Sequence, residues 1–525
     1  MSQNFLDRLP PVAAEVLELK NAGDFLKAAA RMRCLTDQYP MVLVSEEFMS
    51  ALLACPECFD REGQVAEYFE FLDSVMTRIC DLIATATSPQ MIGKIASVFL
   101  KSSNFRIATH NEFNLKPFMM RRTAIFSTAM RCSGFQLEHA FSPASADRKI
   151  RYGILFKHGV ADPETTSILP FFEHVDRTRF EISLLTCRPV DDTGFGRHLL
   201  KLADRHVVLG ESLAANAAAI RALDLDFLMF GGDITAKPSM MNFLSFFKLA
   251  RKSMTGVCAL CTTGGAQVDY YFTGNYYKAR GFDAEFTEQC LAVNDVGFGF
   301  SFPEPGNAAD ETPELYSRAQ LAGDSRIVLT SGANFSKLHP ELLQAWASIL
   351  AACPEACLVL YPFPPHYGYN KSAIVSHILR HFAVLGDGIN RVKLLDSIPG
   401  REKVMQVIRH ADLALDSFPY PGVTTIVDTV EAGVPIVSLE GRTLRSSQSA
   451  SILRSLGLGE LLATDTDEYI EKAVTLIRDP EILRGLKTKI NSALQGTPTI
   501  YDTQAIGKRV DMLLQQEFRR MVPPD

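Results

Sequence analysis

The chain lacks any run of 18 or more apolar residues, and a helix needs about that length to cross a bilayer. A secretory signal is also missing, because Asp7 and Arg8 interrupt the N-terminal segment where such a signal would need its apolar core. No membrane span is therefore expected. These absences favour a soluble protein of the cytoplasm.

An excess of basic residues is missing as well. The formal net charge is −7, whereas a general nucleic-acid-binding protein normally carries a basic excess, so no nucleic-acid partner is expected. Apolar residues are plentiful instead, at 47% of the 525 residues. A chain of this length and composition can bury large cores and should form about three domains.

The cysteines are not expected to form a disulfide framework. Their number, eleven, is odd and they are scattered, and a chain of this length does not need disulfide bonds to be stable. Two CxxC pairs occur, Cys55 with Cys58 and Cys258 with Cys261, but a shared zinc site would require two distant segments to meet. The second pair lies in an apolar stretch, GVCALC, that is typical of a buried strand. Buried free thiols are expected, with metal binding as the alternative.

The N-terminal part of the chain, residues 1–140, is helical in pattern and has no convincing alternating strands. Residues 21–40 resemble one helical hairpin of a tetratricopeptide-type repeat and end in a proline. The regular period of about 34 residues that defines such repeats does not extend through the rest. We therefore predict an all-α region of degenerate helical pairs, followed by a linker at residues 141–149 that is rich in serine, proline and small residues.

From residue 150 onward, strand-like and helix-like segments alternate. The candidate strands are RYGILF, FEISLLTC, HVVLG, LDFLMFGG and VDYYFTG, then RIVLTSG, CLVLYPF, VKLLDS, LALDSF and PIVSL. Helices of the later part begin near His339, Lys371, Arg401, Thr424 and Ser446. Near-continuous apolar strands that alternate with helices indicate parallel sheets covered on both faces.

This alternation predicts an α/β fold with two Rossmann-like units, residues 150–320 and residues 321–525, the latter ending in C-terminal helices. A polar, proline-rich crossing at residues 302–319 separates them. Open parallel sheets bind ligands at the carboxyl ends of their strands, so the site should lie in the cleft between the two units.

The most informative stretch is FPYPGVTTIVDTVEAGVP, residues 418–435. A buried strand runs into a proline- and glycine-containing loop, which delivers Thr424 and Thr425 to the start of a helix. The first turn of a helix has unpaired N–H groups and a positive dipole end, so it can bind an anion. Asp428, one turn later, could accept from vicinal hydroxyls. Pyrophosphate plus ribose suits these groups, but a helix that Thr424 merely caps is the alternative.

Other polar residues also follow candidate strands. Asn334, Ser336 and Lys337 lie between a strand and a helix, and Lys337 is a point charge well placed for a phosphate. A solvated loop lysine is the alternative. In the first unit, His158 and Asp162 could each take a proton from an incoming nucleophile, although a lone histidine or aspartate in a loop is often a turn or cap residue. The first and fourth strands of this unit are followed by Lys157, His158, Asp162 and Glu164, and by Gly231, Gly232 and Asp233.

Metal-dependent transferases often hold their nucleotide with a DxD pair, and two such pairs occur. Asp224 and Asp226 run directly into a strand, whereas Asp465 and Asp467 lie where acids suit the first turn of a helix. Both pairs are interpreted as structural. Since nothing else implies a metal, none is expected in the site.

Residues 413–463, LALDSFPYPGVTTIVDTVEAGVPIVSLEGRTLRSSQSASILRSLGLGELLA, resemble the donor-binding half of the O-GlcNAc transferase and SPINDLY family. They are also similar to the bacterial cytoplasmic N-glucosyltransferases that modify adhesins, which belong to the same glycosyltransferase family 41. The shared landmarks are TT-x-x-D, AGVPIV, G-x-TL and LGL-x-ELLA. KLHPELLQAWASIL matches a further family segment. The resemblance is strong over residues 326–477, weaker over 150–319 and negligible before that.

The resemblance implies a GT-B fold and a nucleotide sugar, most often a UDP-sugar, with the second unit on the nucleotide-sugar side and the first on the acceptor side. Lys337 would neutralise charge on the departing diphosphate. By the same resemblance, Thr424 and Thr425 would contact the pyrophosphate, Asp428 the ribose hydroxyls, Asn334 the same phosphates, and Arg401 would lie beside the base.

Two departures from the O-GlcNAc type are present. Val423 stands where that type has a histidine immediately before the paired threonines, so one phosphate-side contact is missing. Asp162 and Pro163 stand where that type has His-Pro in the first unit. If that histidine assists the acceptor, Asp162 or His158 would take its place here.

The resulting hypothesis is an inverting, metal-independent glycosyltransferase that moves a hexose or N-acetylhexosamine from a UDP-sugar to a protein side chain, without a cofactor. Two alternatives remain: transfer to a glycan or small molecule, or a non-catalytic nucleotide-binding interaction module. The sugar, the choice between UDP and GDP, the acceptor residue (Asn, Ser or Thr) and the oligomeric state stay open.

Overall fold

The computed structural model describes residues 3–106, 109–302, 314–364 and 369–523. Residues 303–313, which include most of the predicted polar crossing at 302–319, lie outside the described residues. Among the helices described, none is long and apolar enough to cross a membrane.

The N-terminal region is all-α, as predicted. Its helices are α1 (Gln3–Leu6), α2 (Pro11–Asn21), α3 (Phe25–Gln38), α4 (Glu46–Leu53), α5 (Gln64–Thr85), α6 (Pro89–Ser102) and α7 (Lys116–Cys132). Residues 21–40, expected to form a helical hairpin, hold the single α-helix α3, and the hairpin is instead formed by α3 with the preceding α2. The two helices turn at Gly23 with a φ of 78°, a backbone conformation that favours glycine. The α3 helix ends just before Pro40, since proline offers no N–H to continue it.

The first Rossmann-like sheet has seven parallel strands in the order β3-β2-β1-β4-β5-β6-β7. The strands are β1 (Ile150–Phe156), β2 (Phe180–Thr186), β3 (Arg205–Val208), β4 (Phe227–Phe230), β5 (Lys252–Thr255), β6 (Tyr270–Gly274) and β7 (Gln289–Asn294). The helices are α8 (Pro163–Ile168), α9 (Gly194–Leu202), α10 (Leu213–Ala222), α11 (Met240–Leu244) and α12 (Asn275–Ala279). The sequence pattern missed β5 and β7, because polar residues open both strands and hide the apolar signal.

One strand assignment made from the sequence is wrong. The GVCALC stretch is not a strand: β5 ends at Thr255, and Cys258 and Cys261 lie in the turns that follow. Both thiols are nevertheless buried and free, as expected. Burial of an apolar turn against the core explains why its composition resembles that of a strand.

The second sheet has six strands in the order β10-β9-β8-β11-β12-β13. The strands are β8 (Ile327–Ser331), β9 (Ala356–Leu360), β10 (Val392–Leu394), β11 (Leu413–Leu415), β12 (Ile436–Leu439) and β13 (Leu462–Ala463). The helices are α13 (Arg318–Ala322), α14 (Pro340–Ala352), α15 (Lys371–His381), α16 (Arg401–Arg409), α17 (Thr424–Glu431), α18 (Gln448–Ser455), α19 (Thr466–Arg478), α20 (Pro480–Gln495) and α21 (Thr503–Met521). All but β13 were predicted, and α14 to α17 begin within a residue of their predicted starts.

The last helix returns to the first unit. Ile506, Val510 and Leu514 of α21 belong to the same buried cluster as Tyr152 of β1, so α21 covers one face of the first sheet. The predicted division, which places all C-terminal helices with the second unit, did not anticipate this return. The apolar spacing of α21 specifies a face to be buried but does not specify which sheet buries it.

Candidate active site

A buried carboxylate shapes the loop between β11 and α17. Asp416 is only 3% exposed, and its Oδ1 accepts from the backbone N–H groups of Ser417 and Gly422 at 2.8 and 3.0 Å. Its Oδ2 accepts from the Ser438 hydroxyl on β12 at 2.6 Å. Because these bonds satisfy the buried acid, they hold the loop in one shape and set the position at which α17 begins.

The predicted anion site lies at the start of α17. Val423 is the N-cap residue, and no side chain caps the helix. Thr424 is therefore the first helical residue and not the cap, so that alternative interpretation is wrong. Thr424 and Thr425 are half-buried, and their hydroxyls make no hydrogen bond within the described chain. The first turn thus presents backbone donors and two hydroxyls with no competing side-chain acceptor.

Lys337 reaches this corner from the neighbouring strand β8. Its ammonium donates to the Pro421 carbonyl at 2.8 Å and lies 4.8 Å from the centre of the Tyr420 ring. Burial lowers the pKa of Lys337 to about 8, and the charge of Asp416 opposes that shift. Asn334, also predicted here, uses its side-chain oxygen to accept from the Ser336 N–H at 3.0 Å. It therefore shapes the turn that carries Lys337.

The predicted ribose residue and the predicted base residue form an ion pair. Arg401 donates through Nε to Asp428 Oδ1 at 2.7 Å and through Nη2 to Glu431 at 2.6 Å. The guanidinium also lies 4.0 Å from the centre of the Phe302 ring. Burial raises the pKa of Asp428, and Arg401 opposes the shift. Arg401 therefore orients Asp428 directly.

On the first unit, Asp162 and His158 lie together. Asp162 caps α8, where its Oδ1 accepts from the Thr165 N–H at 2.8 Å. Its Oδ2 is 3.3 Å from His158 Nε2. The cap interpretation of Asp162 is thus correct, and capping leaves one carboxylate oxygen for the histidine.

Glu164 is a second acid at this edge, and the sequence analysis did not select it. Its Oε1 accepts from the Asp233 N–H at 3.2 Å, and a Cβ atom at Gly232 would come within 3.0 Å of Oε2, so the glycine leaves room for the carboxylate. Burial, together with the charge of Asp162, raises the pKa of Glu164 to about 7. The sequence did contain a signal for this contact, because the segments that carry Glu164 and Asp233 follow β1 and β4, which are neighbouring strands.

Tyr420, in the loop before α17, is influenced by charges of both Rossmann-like units. Burial raises the pKa of the Tyr420 phenol, and the charge of Asp233 contributes to that shift. Tyr420 also contacts Lys337. Tyr420 thus contacts Lys337 of the second unit and is within reach of the charge of Asp233 of the first.

Each DxD pair contains an aspartate with a structural partner. Asp226 is fully buried and accepts from both terminal nitrogens of Arg148 at 2.6 and 2.8 Å, while Asp465 caps α19 through the Glu468 N–H. Both are structural, as interpreted from the sequence. Within the described ranges, no cluster of three or more His, Cys, Asp or Glu side chains could hold a metal ion.

Comparison with known proteins agrees with this geometry. The family model described as glycosyl transferase family 41 matches residues 304–510. A probable UDP-N-acetylglucosamine–peptide N-acetylglucosaminyltransferase SPINDLY of Arabidopsis thaliana is 30% identical over 238 residues, which are 45% of this chain and 25% of that protein. A UDP-N-acetylglucosamine–peptide N-acetylglucosaminyltransferase of Caenorhabditis elegans is 29% identical over 39% of this chain and 17% of that protein. The chain thus spans about a quarter or less of these relatives' length.

One solved structure matches almost the whole chain. It is a mutant O-GlcNAc transferase of Thermobaculum terrenum, with 21% identity, a TM-score of 0.60, and coverage of 97% of this chain and 96% of that one. At this identity the match shows the fold alone. It confirms the predicted GT-B arrangement that follows an all-α region. Together with the family match over residues 304–510, it confirms the resemblance inferred from the sequence: this region is a glycosyltransferase family 41 region.

Proposed function

We propose that the chain is an inverting, metal-independent glycosyltransferase that moves a hexose or N-acetylhexosamine from a UDP-sugar to an Asn, Ser or Thr side chain of a protein. The names of the two relatives make N-acetylglucosamine the first sugar to test. The observation that carries the proposal is the contact of the Lys337 ammonium with the Pro421 carbonyl, just ahead of the paired threonines. This contact holds a cation near the N-terminus of a helix, and a bound diphosphate requires that arrangement.

On the donor side, the pyrophosphate would bind the first turn of α17 and the hydroxyls of Thr424 and Thr425. Lys337 would stabilise the negative charge that develops as the bond between the sugar and the diphosphate breaks. Asp428 would accept from the ribose hydroxyls while Arg401 keeps it ionised and oriented. Because these protein groups supply the positive charge, the proposed reaction needs no metal ion or other cofactor.

On the acceptor side, the nucleophilic oxygen or nitrogen would attack the anomeric carbon as UDP departs, and its proton must go to a base. Glu164 is proposed for this role, because a carboxyl with a pKa of about 7 can accept a proton near neutral pH. Asp162 and His158 already contact each other, and they are the alternatives. A single displacement of this kind inverts the configuration at the anomeric carbon.

A thermal-shift screen with UDP, GDP and their sugar conjugates tests the donor site. UDP and UDP-sugars are expected to raise the melting temperature, whereas stabilisation by GDP alone would contradict a UDP-sugar donor. Transfer is then tested with radiolabelled UDP-N-acetylglucosamine and polypeptide acceptors. Label that enters only glycans or small molecules would contradict a protein acceptor. UDP binding with neither transfer nor hydrolysis of any donor would indicate a non-catalytic module.

A further inference from the structure

A short segment of the helical region, residues 109–113, lies on the second Rossmann-like unit. The buried side chain of Arg445, which is 3% exposed, holds this segment in place. Its guanidinium donates to the carbonyls of Thr109, Asn111 and Phe113 at 2.9, 2.7 and 2.6 Å. Charged donors on three alternate carbonyls form strong hydrogen bonds, so this segment has one position relative to the sheet that carries the proposed phosphate corner (Lys337, Pro421, Thr424 and Thr425).

The segment places the His110 ring against that corner. His110 is 1% exposed, and its Nδ1 is 3.0 Å from the Ser336 carbonyl, the residue immediately before Lys337. The imidazole also stacks on the Tyr420 ring, with the ring centres 4.8 Å apart and the planes at 22°. The Lys337 ammonium is likewise 4.8 Å from the centre of the Tyr420 ring. His110 thus contacts both neighbours of the lysine.

The protonation state of His110 follows from its surroundings. Burial, with the positive charges of His339 and Lys337 added, lowers the pKa of His110 well below its ordinary value, so the ring is neutral near pH 7. A carbonyl only accepts hydrogen bonds, so the proton resides on Nδ1 and points at Ser336. A neutral ring adds no repulsion to Lys337 while it excludes water from it.

We propose that His110 is a positioning residue of the donor site and that the helical region is therefore part of this site rather than an appended acceptor-selecting module. The proposal rests on the proposed function. His110 fixes the Ser336 carbonyl and the Tyr420 ring, and these two hold the Lys337 ammonium beside the Pro421 carbonyl, where it is partly shielded from water. A fixed, poorly hydrated cation stabilises a developing charge more strongly than a mobile, hydrated one.

The first test measures transfer with three variants. His110→Ala removes both contacts, His110→Phe keeps the ring stacking, and His110→Asn keeps a donor near the Nδ1 position. His110→Ala is expected to lower kcat by about tenfold to a hundredfold with a smaller change in KM, because misplacement of a charge-stabilising group affects the transition state most. His110→Phe and His110→Asn should each recover part of the loss. The matched control is Phe71→Leu, a fully buried helical-region residue that contacts Phe25 and Tyr68. It should lower the melting temperature and leave kcat unchanged.

The second test does not depend on activity. The rate at which a succinimidyl ester acylates Lys337 is followed against pH by peptide mass spectrometry, since only the neutral amine reacts. The titratable or charged groups around Lys337 are Arg106, His110, Asp416 and Tyr420. In the unmodified protein the midpoint should be about 8. In His110→Ala it should move upward, because water then reaches the ammonium and favours its charged form.

The outcomes separate the two proposals. If UDP fails to bind the unmodified protein but the Lys337 midpoint still rises in His110→Ala, the proposed function fails and the positioning role stands. If folded His110→Ala retains both kcat and the Lys337 midpoint, the positioning role is overturned. Should His110→Ala not fold, unchanged kcat and unchanged midpoint in both His110→Phe and His110→Asn would overturn it equally.

Discussion

The ammonium of Lys337 donates a hydrogen bond to the carbonyl of Pro421, 2.8 Å away, although the two residues are 84 positions apart in the chain. The contact joins the segments that follow β8 and β11, which are neighbours in the second sheet. It brings a half-buried cation to the loop that starts α17. The proposed chemistry depends on this meeting.

Replacement of Lys337 by alanine should lower kcat by about a hundredfold to a thousandfold, the effect typical of losing one group that stabilises developing charge. The fold should persist, because the lysine is not part of an apolar core. Steady-state transfer kinetics and circular dichroism check both points. The control is Lys393→Ala, since the Lys393 ammonium donates to the Gln320 carbonyl on the edge of the sheet; full activity in Lys337→Ala would contradict the site assignment.

Thr424→Val and Thr425→Val should each weaken UDP binding by about fivefold to tenfold, because each removes a hydroxyl worth roughly 1 kcal/mol as a hydrogen-bond donor. Calorimetric titration with UDP measures the change. Thr429→Val serves as the control one turn along the same helix, where the hydroxyl donates to the Thr425 carbonyl instead of facing the proposed ligand. Equal losses in all three variants would mean that the helix, and not the hydroxyls, had been disturbed.

Arg401→Gln should destabilise the protein by about 1–2 kcal/mol near neutral pH, because it leaves the buried Asp428 carboxylate without its cation; the side chain of Arg401 is 35% exposed, which reduces the cost. Loss of Arg401 should raise the pKa of Asp428 beyond the increase that burial already causes. A carboxyl with a raised folded-state pKa destabilises the protein above that pKa and has no effect below its unfolded value, so the deficit should shrink as the pH falls toward about 4. Thermal unfolding from pH 3.5 to 7.5 tests this expectation, since the range extends below the unfolded Asp pKa of about 3.9. The double variant Arg401→Gln/Asp428→Asn should recover most of the lost stability.

Glu164→Gln should lower the transfer rate by about a hundredfold or more, the usual contribution of a positioned base. In the unmodified enzyme the rate should fall as pH drops below about 7, since protonated Glu164 cannot accept a proton. The variant should lose this acidic limb. It should also melt at a higher temperature near pH 7, because ionising a carboxyl with a raised pKa costs stability. A retained acidic limb in Glu164→Gln would transfer the role to His158 or Asp162.

Chelation of divalent metals with EDTA should leave the transfer rate unchanged. Asp465→Ala should likewise retain activity, with a stability loss of about 1 kcal/mol from the missing helix cap. Asp226→Asn should be less stable because it weakens a buried pair with Arg148. A rate that EDTA abolishes and Mg²⁺ or Mn²⁺ restores would contradict the metal-free reaction.

The sequence predicted the alternation of strands and helices and the position of the phosphate loop, because both are local. Buried parallel strands need apolar runs, and a strand-to-helix turn needs the proline and glycine that surround Tyr420. It missed β5, β7 and β13, which are short or begin with polar residues. It also predicted a strand at GVCALC, where there is none, because an apolar composition indicates burial and not backbone conformation.

In the site, Thr424, Thr425 and Asp428 lie close together because one helix holds all three, and the sequence alone predicts this. Other relationships needed the tertiary structure. Arg401 was expected beside the base, and the fold in addition pairs it with Asp428. Glu164 looked like an ordinary loop acid until the neighbouring β4 segment placed Asp233 against it and burial raised its pKa.

By itself, the sequence determined the two Rossmann-like units, the helical N-terminal region and the turn at which α17 begins, because periodicity, turn residues and helix termini act over a few positions. Only the tertiary structure decided that α21 covers the first sheet and that His110, 226 positions from Ser336, reaches the phosphate corner. Such contacts depend on how distant segments pack against one another. The hydrophobic effect is not directional, so the sequence of one apolar face does not specify which other face will bury it.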